Sequence, residues 1–203
     1  MTERSWQTAT RPYPMIDHLG PNASPRKLRL VGVEACNRLW GIMTDPRSRN
    51  AVSVAERFAN GEATEDELLA ANTTANNVGI SVVERTAARA SDRPQEFNLD
   101  VVLGHAGSAA QNRAERKIHC NIIRDIFGNP FRPVAFGPEW RTDTAVAIAG
   151  QMYESRDFSA MPILADALQD AGCDSDDILS HCRDAAQVHV RGCWVVDRVL
   201  GKE

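Results

Sequence analysis

Met161-Pro-Ile-Leu-Ala-Asp-Ala-Leu-Gln-Asp-Ala-Gly-Cys173, Asp177-Ile-Leu-Ser-His181-Cys182-Arg183 and His189-Val-Arg-Gly-Cys193-Trp194-Val-Val-Asp197 decide how this chain is read. Ile163, Leu164, Ala167 and Leu168 recur at three and four residues, which puts them on one helical face. Ser159 offers a cap, Pro162 is tolerated in a first turn, and Gly172 is a helix stop. Ser175 with Asp176 and Asp177 opens a second short helix through Ile178, Leu179 and Cys182. Val190, Cys193, Trp194, Val196 and Leu200 form the stripe of a third.

Moving towards the N-terminus, the same grammar repeats. Thr142-Asp143 opens a helix through Val146, Ala149, Met152 and Tyr153. Asn129 to Trp140 holds Pro130, Pro133, Gly137 and Pro138, so it reads as ordered loop. A helix from about Ser108 leads into Ile118, Ile122, Ile123, Ile126 and Phe127. Gly104-His105-Ala106-Gly107 reads as a loop or helix break. Ser91 to Asn98 is the linker candidate. Thr64-Glu65-Asp66-Glu67 is a capping box, and the helix behind it is expected to run to about Ala90. Its stripe of Leu68, Ala71, Ala75, Val78 and Val82 is weak, and Gly79 interrupts it. Asp45-Pro46 and Ser24-Pro25 each pair a cap with a proline at the first helical position. Trp6 is expected to fold back onto the body, because exposing an indole wastes a large apolar surface.

No stretch shows sustained strand alternation. The expectation is an all-α fold: one orthogonal bundle of short capped helices, with an N-terminal half over residues 1–90 and a C-terminal half over 91–203. The 203 residues suffice for a real core without covalent staples. Hydrophobic residues make up 43% and charged residues 25%, the proportions of a soluble globular protein. No apolar run reaches the roughly 20 residues of a membrane helix. Met1-Thr-Glu-Arg-Ser-Trp6 lacks a secretory pattern, so a cytoplasmic setting is expected. Five cysteines scattered through such a chain read as reduced thiols.

Four residues carry the sharpest chemical reading: His181, Cys182, His189 and Cys193, whose nitrogens and sulfurs suit tetrahedral zinc. His189 and Cys193, four apart, share a face if they lie on one helix. His181 and Cys182 are adjacent and on a helix diverge by about 100°, so only the loop between helices brings both to one ion. Against zinc stands a plainer reading: buried core cysteines, and histidines bonded to turn backbone. His119-Cys120 cannot face each other on a helix, so any base for that thiol comes from elsewhere. An enzyme would have to gather scattered residues, with His105, His119, His181 and His189 as the candidates. Arg26, Lys27, Arg29 and Arg38 give one helix a basic side, which raises a DNA-binding helix-turn-helix. The net charge of −4 argues against a nucleic-acid partner. The chain shows no nucleophile–base pair and no cofactor loop. The expected role is therefore non-enzymatic binding of another protein, at a rim around Phe131, Phe136 and Trp140.

Ile126-Phe-Gly-Asn-Pro-Phe-Arg-Pro133, Trp140 and the three C-terminal stretches through Leu200-Gly-Lys-Glu203 resemble a multi-copy family of small planctomycete proteins. Arg26-Lys-Leu-Arg-Leu30 through Trp40, and Val54-Ala-Glu-Arg-Phe58, resemble that family's front half. Residues from about 60 to 115 match least. The family has no assigned activity, so the resemblance implies no catalytic residues. Its members tend to have a Gly/Pro turn where this chain has Asp184-Ala-Ala-Gln187. They also have a denser cysteine cluster near Cys36.

Overall fold

The computed structural model describes residues 1–77, 81–110 and 113–202. Over these residues the chain is all-α, with twelve α-helices and no strand. Among the described residues no helix is long and apolar enough to cross a membrane. The chain divides into two compact units, Met1–Ile123 and Arg124–Glu203. The Ser91–Asn98 segment lies inside the first.

The first unit holds α1 (Glu3–Gln7), α2 (Tyr13–Leu19), α3 (Pro25–Asn37), α4 (Pro46–Ala59), α5 (Glu65–Asn76), α6 (Val82–Ala90) and α7 (Leu99–Ala109). It also holds most of α8 (Arg113–Phe127). The caps are those the sequence announces. The Ser24 hydroxyl accepts from the Lys27 amide, the Asp45 carboxylate from the Arg47 amide, and Thr64 and Glu67 form a reciprocal box. α3, α4, α6 and α7 pack on one another, and α5 lies against α4 and α6. Trp6 is fully buried, as are Leu30, Val31, Val52 and Leu68.

Three expectations change. The long helix from Thr64 to Ala90 is two helices, α5 and α6, because the Ser81 hydroxyl caps a new start at the Glu84 amide. Val78 and Gly79 lie outside the described residues. The Gly104–Gly107 break lies inside α7, which the Asn98 side chain opens on the Val101 amide. Leu99, Val102, Leu103 and Ala106 bury one face there, and that burial outweighs the glycines' backbone cost. The helix placed from Ser108 starts at Arg113.

One cation of α3, Arg29, turns inward. Arg29 is buried between the rings of Phe97 and Phe58, with its guanidinium carbon 4.4 and 5.3 Å from their centroids. It donates to the Ala90 carbonyl at 2.8 Å. Arg38 grips Glu115 with two nitrogens. Two of the four cations that suggested a DNA contact are thus committed to the fold.

His119 sits one turn beyond Glu115 and is buried, as is Cys120. Its Nε2 is 3.7 Å from the Glu115 carboxylate, and neither ring nitrogen has a hydrogen-bond partner. Burial lowers its pKa from 6.5 to about 4; Glu115 opposes this and Arg38 adds to it. Between those values the unfolded chain binds a proton that the folded chain refuses. Stability is therefore full above pH 6.5 and is lost as pH falls towards 4. His119→Leu removes this titration, which corresponds to roughly 3 kcal/mol. Thermal melts from pH 7 to 4 should show a shallower acid slope in the variant than in the parent. Parallel slopes would refute the assignment.

The second unit contains the end of α8, a short 3-10 turn (Pro138–Trp140), α9 (Asp143–Ser155), α10 (Met161–Asp170), α11 (Asp176–Arg183) and α12 (Trp194–Leu200). α9 contacts α10 and α12, and α10 contacts α11. Their apolar faces meet in one core that includes Met152, Met161, Leu164, Leu168, Ile178 and Val195. The N-cap position of α10 is Ala160, not Ser159, and it has no side-chain cap. The last helix starts at Trp194, so His189, Val190 and Cys193 precede it in an irregular segment.

Candidate metal centre

That irregular segment positions the chemistry. Asp125 sits in the last turns of α8 with no solvent exposure. His181 comes from α11, His189 from the segment after it, and Cys193 is the N-cap residue of α12. One donor atom from each of these four residues lies within 4.8 Å of all the others. The Asp125 Oδ1 is 2.8 Å from His189 Nδ1 and 3.3 Å from His181 Nε2. The Cys193 Sγ is 3.2 Å from His181 Nε2 and 3.9 Å from His189 Nδ1. Around a tetrahedral zinc ion with ordinary bond lengths, neighbouring donors stand about 3.3–3.6 Å apart. The observed separations bracket that range.

The geometry separates two readings of a Cys–His–Asp group. In a catalytic relay the imidazole uses both nitrogens, one towards the carboxylate and one towards the nucleophile. Here each imidazole turns a single nitrogen to both: Nε2 of His181 and Nδ1 of His189 face Asp125 and Cys193 alike. The four donors point at a common centre, not along a chain.

Asp125 is held from behind. Its second oxygen accepts from the Val190 backbone amide at 2.8 Å, which fixes the carboxylate plane and leaves Oδ1 for the histidines. Burial works to raise its pKa, but the hydrogen bonds to His181 and His189 outweigh this and keep it below the usual carboxylate range. Burial pushes the Cys193 thiol well up, and the Asp125 charge adds to that. His189 Nε2 is buried without a hydrogen-bond partner.

Three of the four residues expected to bind zinc thus converge: His181, His189 and Cys193. The fourth donor is Asp125 in place of Cys182. Adjacency explains the exchange. With His181 turned to the centre, its helical neighbour faces elsewhere, and Cys182 is buried in the unit's core at the edge of a cleft shared with Phe158 and Met161. Asp125 escaped the sequence reading because it lies far from the other three and looks like one more helical carboxylate. The signal that it differs is the apolar run around it, Ile122-Ile-Arg-Asp-Ile-Phe127, which leaves little room for an exposed acid.

The other candidates are not members of this group. His105 is half-buried on α7, and His119 and Cys120 lie on α8 in the first unit. Phe131, Phe136 and Trp140 are half-buried. Phe136 and Trp140 pack on the second unit's core and meet edge to face at 5.3 Å, so these two serve that core as well as any rim.

Removing the carboxylate should be costly. Asp125→Ala leaves two imidazoles and a backbone amide without their shared acceptor, a loss of about 3–5 kcal/mol. Chemical denaturation of the full chain should show that loss, and a smaller one for Asp125→Asn, which keeps the shape. Equal, negligible losses would mean that the carboxylate is not buried as described. The chain matches no known protein-family model, and no curated protein or solved structure matches it.

Proposed function

We propose that the second unit is a metal-stapled helical module in which Asp125, His181, His189 and Cys193 hold one zinc ion as a structural centre. The observation that carries this is the convergence of four donor atoms in which each imidazole offers one nitrogen to both the carboxylate and the thiol. One oxygen, two nitrogens and one sulfur are a donor set for a borderline-soft ion with no geometric demand beyond the tetrahedron. All four ligands come from protein, so a four-coordinate ion has no position left for substrate. The centre's role is then to fix surface, not to turn anything over, which agrees with a module that works by binding another protein.

The donors also suit the task by where they stand. Asp125 sits in the last turn of one helix, His181 on a second, Cys193 is the N-cap residue of a third, and His189 lies on the segment without helical hydrogen bonds of its own. An ion there ties the irregular connection to the helices on either side. Binding energy at such a site is folding energy.

The test is elemental analysis of the full chain purified without chelator. About one zinc per chain is expected, with the same ion lost from Cys193→Ala and His181→Ala and retained by Cys182→Ala. Stripping the ion with a chelator should lower the melting temperature, and zinc should restore it. Protein with no stoichiometric transition metal, or a Cys193→Ala chain that keeps its ion, would overturn the proposal.

A further inference from the structure

His181 also packs against aromatic rings. Its ring centroid lies 5.2 Å from that of Trp194 at an interplanar angle of 52°, and 4.9 Å from that of His189 at 79°. The imidazole is therefore held between a near-perpendicular second ligand and an indole. Trp194 is buried in the unit's core and is the first residue of α12, directly after the ligand Cys193.

The indole in turn rests on Gly128. This residue ends α8 with φ +70°, a left-handed conformation that L side chains rarely adopt, and its amide closes on the Arg124 carbonyl at 2.8 Å. A Cβ there would stand 3.3–3.4 Å from three atoms of the Trp194 ring. Gly128 thus supplies both the turn after the ligand helix and the space in which the indole lies. One short path of contacts runs from the end of the Asp125 helix through Gly128 and Trp194 to His181.

We infer that Trp194 is a positioning residue for the centre: it sets the plane of the His181 imidazole so that Nε2 faces Asp125 and Cys193, and Gly128 permits that placement. This inference rests on the metal reading above. Its physical basis has two parts. The tilted ring contact removes rotational freedom from a ligand ring before an ion arrives, so less entropy is lost on binding. A metal-bound imidazole also carries added positive charge, and an electron-rich indole beside it favours the loaded form. The second part makes the effect depend on the aromatic ring and not only on filled volume.

The experiment is a zinc competition against a chromogenic chelator, with the cobalt(II) absorption spectrum as a second readout, on the full chain and four variants. Affinity should fall in the order parent, Trp194→Phe, Trp194→Leu, Trp194→Ala, with the alanine variant weaker by about 10- to 100-fold, the range for residues that orient a ligand. The cobalt band pattern should shift in the leucine and alanine variants and be kept in phenylalanine. Gly128→Ala should weaken binding in the same direction. Trp194→Leu guards against simple collapse, since it keeps an apolar side chain in the core. If leucine binds as tightly as tryptophan with an unchanged cobalt spectrum, the positioning role is wrong while the metal site stands. If the parent chain itself takes up no ion, both are wrong.

Discussion

A carboxylate with no solvent exposure constrains everything around it in the second unit. Asp125 must be satisfied on both oxygens, because an unpaired buried charge is among the costliest features a fold can carry. The Val190 amide takes one oxygen, and two imidazoles take the other. To deliver those groups, α11 must end where it does, and the segment after it must run past α8 without forming a helix. Cys193 then falls at the start of α12, where its sulfur reaches the same point. The irregular backbone between Arg183 and Trp194 is the consequence of satisfying one acid, not slack between helices.

The two units place their histidines beside carboxylates in different ways. His119 is kept neutral by burial beside a carboxylate that Arg38 already engages, so Glu115 has little left to offer the ring. It behaves as a flat, mildly polar core residue. His181 and His189 share the Asp125 carboxylate, and their nitrogens crowd one place. A carboxylate nearby therefore says little, by itself, about what a histidine does. The partner of the neighbouring carboxylate decides it.

Much of the fold is legible in the letters. Ser24-Pro25, Asp45-Pro46, the Thr64–Glu67 box and Thr142 announce helix starts through side-chain oxygens that reach backbone amides, an interaction local enough to read. What fails is the middle of weak segments. Asn72, Asn76 and the residues up to Ser81 do not reveal that a new cap intervenes. Gly104 and Gly107 look like breakers when packing of Leu99, Val102 and Leu103 decides the matter. The centre is half legible. Residue types pick out His181, His189 and Cys193, but the choice between Cys182 and Asp125 depends on which side of α11 faces α8. That is a property of tertiary packing with no local signature. The same limit holds for Arg29, whose charge suggests a surface and whose surroundings make it a rivet between two phenylalanines.

The order of the four donors along the chain has a consequence for biogenesis. A ribosome makes Asp125 first, on a helix whose apolar face is complete, and makes Cys193 last. During that interval the acid has neither its amide nor its imidazoles, so the tip of α8 must remain wet. Closure of the second unit therefore waits until the segment from His181 to Cys193 has been made. Nascent chains arrested short of that segment should be open and sensitive to protease around Asp125, however well their earlier helices have formed.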